Sequence, residues 1–172
     1  MSAPPARLQA TFEKIAATRM ADVPIVNPRL RVETVGFRLW QGFWVGVLVT
    51  PWSINLVLLP SDDVQLEPLR QDEKRAWTFP SGTYQFMGLS EPQLGPCQMC
   101  PLLSPVAEFV AHEQAVALAR EIAAALFTDV EAGAARDLAL ADMLEEARLK
   151  GESLARKSVT RRDFLRAPFL GR

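Results

Sequence analysis

The sequence predicts an α+β domain, an antiparallel sheet with an N-terminal and a C-terminal helix packed on it and a basic C-terminal tail. Three observations lead there. From Leu30 to about Leu103, β-branched and aromatic residues become dense and are broken at short intervals by turn signals. Within that region the segments 43–50 and 53–59 are apolar at both parities, so both of their faces need cover. On either side, apolar residues recur at spacings of three and four, the period of a helix with one buried stripe.

The elements follow in order. Pro4 and Pro5 suit a first helical turn, and Leu8, Phe12 and Ile15 give one apolar stripe on a helix over 5–20. Residues 22–28, DVPIVNP, carry two prolines and an Asn and predict a loop. Strands are predicted over 31–40, 43–50, 53–59, 76–79, 82–89 and 96–102. The turns between them are expected at Gln41-Gly42, Thr50-Pro51, Ser81-Gly82 and Leu94-Gly95-Pro96. Short connections make neighbouring strands antiparallel. The segment 61–75, SDDVQLEPLRQDEKR, is polar and long for a hairpin loop, a type that tends to serve a function. Ser104 followed by Pro105 reads as a helix cap and first turn, opening a helix to about Phe127 with Phe109, Val116, Ala119, Ala123 and Leu126 on its buried face. A further helix is expected from about Ala134, carrying Leu140, Met143, Leu144 and Ala147 and running to Gly151 or beyond.

At 172 residues, 49% hydrophobic and 23% charged, the chain suits one domain, taken as 1–157, with residues 158–172 as a basic flexible tail. The longest apolar run, 43–60, is interrupted by Pro51, Ser53 and Asn55, short of the roughly 20 apolar residues of a membrane span. No membrane insertion is expected, and the opening MSAPPARLQATFEKIA lacks the apolar core of a secretion signal, which places the protein in the cytoplasm. The net charge of −1 is unevenly spread: residues 148–172 hold eight Lys/Arg against two carboxylates, +6, leaving −7 on the rest. No basic helix interleaved with aromatics accompanies the tail, so nucleic acid is not an expected partner.

Catalytic signatures are missing. There is no Ser/His/Asp set, no glycine-rich phosphate loop and a single histidine, His112, placed one helical turn after Glu108, which is in reach to hold its ring. Cys97 and Cys100 form a lone CQMC. Two thiols are half of a tetrahedral zinc site or a redox pair, and no further cysteine completes the set. A small thiol- or metal-handling protein built on that pair is the alternative from another functional class, and a generic interaction module is a third. Trp40, Trp44 and Trp52 cluster with Gln41 and Asn55 around two turns. Trp44 reads as core. Trp40 and Trp52, beside amide side chains at strand ends, read equally as core or as the wall of an apolar peptide groove.

Three blocks in order, WQGFWVGVLVTPWSINLVLLP (40–60), WTFPSGTYQF (77–86) and LGPCQMCPLLSPVAEF (94–109), resemble the HybE/HupJ-type assembly chaperones of nickel-iron hydrogenases. The resemblance covers roughly 37–127 and includes Trp40, Gln41, Trp52, Asn55, Tyr84, Cys100 and Phe109. It implies a cytoplasmic protein that is not an enzyme and needs no cofactor. The implied partner is the hydrogenase small-subunit precursor with its twin-arginine signal peptide, with the large subunit as a further one. Trp40, Gln41, Trp52, Asn55, Tyr84 and Glu108 become the candidate binding residues. Cys97 departs from the aromatic of the family pattern, and the four cysteines of the rubredoxin domain fused to some relatives are missing, so iron binding is not implied.

Residues 160–166, TRRDFLR, match a twin-arginine export address, with Arg166 for the usual Lys. Six residues follow, too few for the apolar stretch and cleavage site of a working signal. If the body recognises twin-arginine peptides, this segment is an internal mimic, with Arg161 and Arg162 set against carboxylates of Glu108 or of the 61–75 loop.

Overall fold

The computed structural model describes residues 2–128, together with Asp142. The chain runs α1 (Pro4–Ala17), β1 (Glu33–Trp40), β2 (Phe43–Val49), β3 (Ile54–Leu59), β4 (Lys74–Phe79), β5 (Gly82–Glu91), β6 (Gly95–Leu103) and α2 (His112–Leu126). All six strands form one antiparallel sheet in the order β1-β2-β3-β6-β5-β4, the predicted class with every predicted strand present. The helix expected over 134–151 and the tail at 158–172 lie outside the described residues, apart from helical Asp142.

Alternation of side chains divides the core into two layers. Val45, Val47 and Val49 of β2 and Ile54, Leu56 and Leu58 of β3 face α2, where Val116, Ala119, Ile122, Ala123 and Leu126 cover them. Leu48 of β2 and Val57 and Leu59 of β3 face the other way and meet Leu8 and Phe12 of α1. Doubly apolar central strands thus find a helix on each side. Cover on the α1 side stops short of β4 and β5, where Ala76, Thr78, Thr83, Gln85 and Met87 are exposed. The α1 end is anchored there by Arg19, whose Nη2 lies 2.6 Å from the Glu91 carboxylate at the β5–β6 turn.

The bulge in β1 between Val35 and Arg38 fits both layers together. Gly36 takes φ +64, and a Cβ there would lie 2.5 Å from that of Ala123, so its bare backbone lets α2 close on the strand. The shifted register turns Phe37 to the α1 layer.

One expectation is corrected. The chain does not turn helical at Ser104; α2 starts at His112, with Ala111 as the capping residue. Ser104 Oγ donates instead to the Trp52 carbonyl at 3.3 Å, and Val106 and Phe109 are buried beneath an irregular crossing. That crossing is fixed by Asn27, buried in the 22–28 loop, whose Nδ2 donates to the carbonyls of Val106 (3.0 Å) and Phe109 (2.9 Å). With its carbonyls taken by a distant amide, the segment has no i,i+4 ladder to join. Gln114 at the third helical position accepts the N–H of Val110, which ties the crossing to the first turn, while Ala111 itself makes no side-chain cap bond.

Candidate functional site

Adjacent strands of a sheet rotate by roughly 20–25° each, so across six strands the edges differ by roughly 100–125° and two diagonal corners coil towards the same face. Here they meet. Trp40, last residue of β1 at one edge, stacks on Phe79, last residue of β4 at the other, with ring centroids 4.2 Å apart. Trp77 meets Trp40 edge-on at 6.2 Å and Phe43 at 5.4 Å, while Phe127, following α2, meets Phe79 edge-on at 5.9 Å. Phe79 is buried, whereas Trp40, Phe43, Trp77 and Phe127 are only partly so. The result is an aromatic corner whose outer rings are partly exposed.

Within the corner the two indoles differ. Trp77 Nε1 donates to Gln98 Oε1 at 2.8 Å, which fixes its orientation. The indole N–H of Trp40 has no partner among the described residues and is available to a carbonyl from outside.

Gln41 and Gly42 join Trp40 to Phe43 in a two-residue hairpin turn, with φ +49 and +85. Gln41 is exposed and sits in the left-handed region that non-glycine residues avoid, a local cost concentrated beside the accessible tryptophan. Against this turn rests a second one. At 61–64 the Ser61 N–H donates to the Val64 carbonyl at 3.0 Å and the Val64 N–H to Ser61 Oγ at 3.1 Å. Val64 fills the space that a Cβ on Gly42 would need, 2.6 Å from its Cγ2. Asp62 and Asp63 occupy the central positions of that turn, exposed, and their carboxylates make no ion pair among the described residues. Elsewhere, Arg38 lies over the Phe127 ring at 3.9 Å and Arg75 pairs with Glu67 at 3.1 Å. The corner therefore offers partly exposed aromatic rings and, on the turn seated against Gly42, two carboxylates with no ion pair among the described residues.

The predicted residues divide. Trp40 and Gln41 are at this corner, and Tyr84 stands behind it, buried, its ring 5.7 Å from Phe79 and its hydroxyl 2.5 Å from Ser81 Oγ. Trp52 and Asn55 are elsewhere. Trp52 follows β2 at its far end, roughly 20 Å along the strand from Trp40, and stacks on Phe12 of α1 on the opposite face of the sheet. Asn55 is buried there and donates to Ser53 Oγ at 2.8 Å. Trp40 and Trp52 thus do not line one groove. Glu108 is exposed on the crossing before α2, and it does not hold His112. His112 Nδ1 accepts the Arg31 N–H at 3.1 Å, which puts the ring proton on Nε2, 2.7 Å from Glu33. Arg161 and Arg162 lie outside the described residues. Phe43 and Trp77 carry no site signal in the sequence, and Asp62 and Asp63 enter there only among the carboxylates of the 61–75 loop, since only the closing of the sheet and the seating of Val64 bring them to this corner.

The CQMC pair fails as a joint site on parity. Three residues apart in β6, the cysteines point to opposite faces, Cys97 among the α1-side residues and Cys100 in the α2-side core. Burial pushes both thiols up to about 12, helped at Cys97 by the negative charge of Glu91. Among the described residues no group of three or more His, Cys, Asp or Glu is placed to hold a metal, and no helix is long and apolar enough to cross a membrane.

Against this geometry the likenesses to other proteins can be set. A family model described as "[NiFe]-hydrogenase assembly, chaperone, HybE" matches residues 3–167. Protein HoxT of Cupriavidus necator is 39% identical over 128 residues, 67% of this chain and 70% of that protein. The "Probable rubredoxin HupJ" of Rhodobacter capsulatus is 39% identical over 120 residues, 70% of this chain but 43% of that protein, so the match spans less than half of it. The solution structure of HybE from Escherichia coli superposes with a TM-score of 0.57 at 31% identity, covering 73% of this chain and 77% of that one.

Proposed function

The chain belongs to the HybE family of nickel-iron hydrogenase assembly chaperones, and on that premise we propose that it binds the immature small, iron-sulfur subunit of such an enzyme through the twin-arginine signal peptide of its precursor. The observation that carries this reading is the seating of the 61–64 turn, with exposed Asp62 and Asp63 at its centre, against Gly42 of the hairpin turn that joins the partly exposed Trp40 and Phe43. A guanidinium pairs with a carboxylate by two parallel N–H bonds and also lies flat on an aromatic ring, so adjacent arginines find both kinds of partner here. The Phe and Leu of an Arg-Arg-x-Phe-Leu segment would extend the aromatic cluster, and the free Trp40 N–H would meet a backbone carbonyl of the bound peptide.

The magnitudes favour a shared role. Exposed ion pairs contribute about 0.2–1 kcal/mol each, so the charges steer and select while burial of apolar side chains against the rings supplies most of the affinity. A peptide held this way is released readily, which suits a chaperone that passes its client on to assembly with the large subunit. Such a step precedes export and places the protein in the cytoplasm.

The test is capture of the small-subunit precursor by the tagged full chain, with and without the signal peptide. Capture of the precursor and loss of at least ten-fold on removing the signal are expected. Equal recovery of both forms would place recognition on the mature subunit and overturn the reading.

A further inference from the structure

We infer that residues 160–166 of this same chain dock on the Trp40–Asp62/Asp63 corner and hold it until the twin-arginine segment of a partner displaces them. This rests on the reading of the corner as a site for such segments. Three observations select this occupant.

The first is chemical identity. TRRDFLR carries two adjacent arginines followed by Phe164 and Leu165, the same order of charge and apolar surface that the corner is proposed to read.

The second is reach. The last continuously described residue is Thr128, next to Phe127, whose ring packs on Phe79 and so belongs to the corner itself. Thirty-one residues separate Thr128 from Thr160. Even at the helical rise of 1.5 Å per residue they span about 45 Å, so reach does not prevent a return to the starting point.

The third is charge. Residues 1–128 contain ten Lys/Arg and twelve Asp/Glu, a balance of only −2, yet five of those acids fall within 62–73. Of these, Glu67 pairs with Arg75, and Glu73 accepts the Arg70 N–H at 3.2 Å. Asp72 is exposed just before β4 and, like Asp62 and Asp63 at the corner, makes no ion pair among the described residues, so these three are open to the +6 of residues 148–172 and two of them lie at the corner. The competing negative stretch is 129–147, which carries −5 and precedes the tail directly.

The expected effect is modest in size. Tethering gives an effective concentration on the order of millimolar. Against a dissociation constant of about 0.1–1 mM for the mimic, that lowers the apparent affinity for an outside peptide by about 2- to 10-fold. The corner would thus reject weakly matching peptides and admit a tighter one.

The experiment uses the full chain labelled with nitrogen-15 and follows its four tryptophan indole signals. Trp40 and Trp77 report on the corner, Trp44 and Trp52 on the opposite face. An R161A/R162A chain is expected to move the Trp40 and Trp77 signals, leave Trp44 and Trp52 in place, and behave alike at low and high protein concentration. A D62N/D63N chain should give the same corner shifts. A synthetic peptide containing Arg-Arg-x-Phe-Leu should bind R161A/R162A about 2- to 10-fold more tightly than the unaltered chain, with the difference shrinking in salt. Identical indole spectra for the unaltered and R161A/R162A chains would overturn the inference, as would shifts limited to Trp44 and Trp52 or shifts that depend on protein concentration. If the spectra are identical but the peptide still binds, the proposed function stands without the mimic. If the corner signals move but no twin-arginine peptide binds, the tail contact stands and the proposed partner falls.

Discussion

Trp40 and Phe79 lie face to face at 4.2 Å with 25° between their ring planes, although they stand on strands at opposite edges of one sheet. The contact clasps two diagonal corners, and it makes the site a product of the whole sheet. Phe79→Ala should cost about 3–5 kcal/mol, because Phe79 also packs on Tyr84, Phe86 and Phe127. In a double-mutant cycle measured by denaturant unfolding, Trp40→Ala and Phe79→Leu should couple by about 0.5–1.5 kcal/mol. Additive losses would mean the rings touch without holding the corner.

Asn27 holds the crossing before α2 by donating to two carbonyls, and its Oδ1 accepts the Arg29 N–H at 3.1 Å. Asn27→Ala takes the side-chain donor from the Phe109 carbonyl and leaves that of Val106 with only the long 3.4 Å bond from the Phe109 N–H, and should lower stability by about 1–3 kcal/mol. Asn27→Asp keeps the acceptor but sets a carboxylate against those carbonyls, so it should be at least as damaging. An Asp variant of unchanged stability would show that the donated bonds contribute nothing net.

The two thiols carry a pH dependence of known sign. Their ordinary value near 9.0 applies to the unfolded chain and about 12 to the folded one, so the fold favours the protonated form. The corresponding stability is fully present below pH 9 and is lost as pH rises towards 12. Folded protein at neutral pH should resist thiol reagents that modify the unfolded chain at once. Rapid labelling of either cysteine in the native state would contradict the burial described above.

What the sequence made legible follows period and parity. Strand positions, both helices and the two-layer cover of β2 and β3 are local or nearest-neighbour properties, and they emerge from apolar spacing. The misplaced start of α2 has a non-local cause: Ser104-Pro105 carries a sound capping signal, overridden by an Asn 79 residues away from the carbonyl it binds. His112 follows the same pattern, with Glu33 as its partner in place of the local Glu108. The opposite facing of Cys97 and Cys100 was available from parity once the segment was read as a strand. That Trp40 and Trp52 sit on opposite faces depends on the bulge in β1 and the turn after β2, which spacing alone does not reveal.

The most direct measurement is a titration of the full chain with a synthetic peptide carrying Arg-Arg-x-Phe-Leu, following the indole signals of Trp40, Trp44, Trp52 and Trp77. Saturable shifts of Trp40 and Trp77, with Trp44 and Trp52 unmoved and affinity falling about 10-fold in a D62N/D63N chain, are the expected result. Shifts confined to Trp44 and Trp52, or affinity indifferent to Asp62 and Asp63, would contradict the assignment of the corner as the binding site.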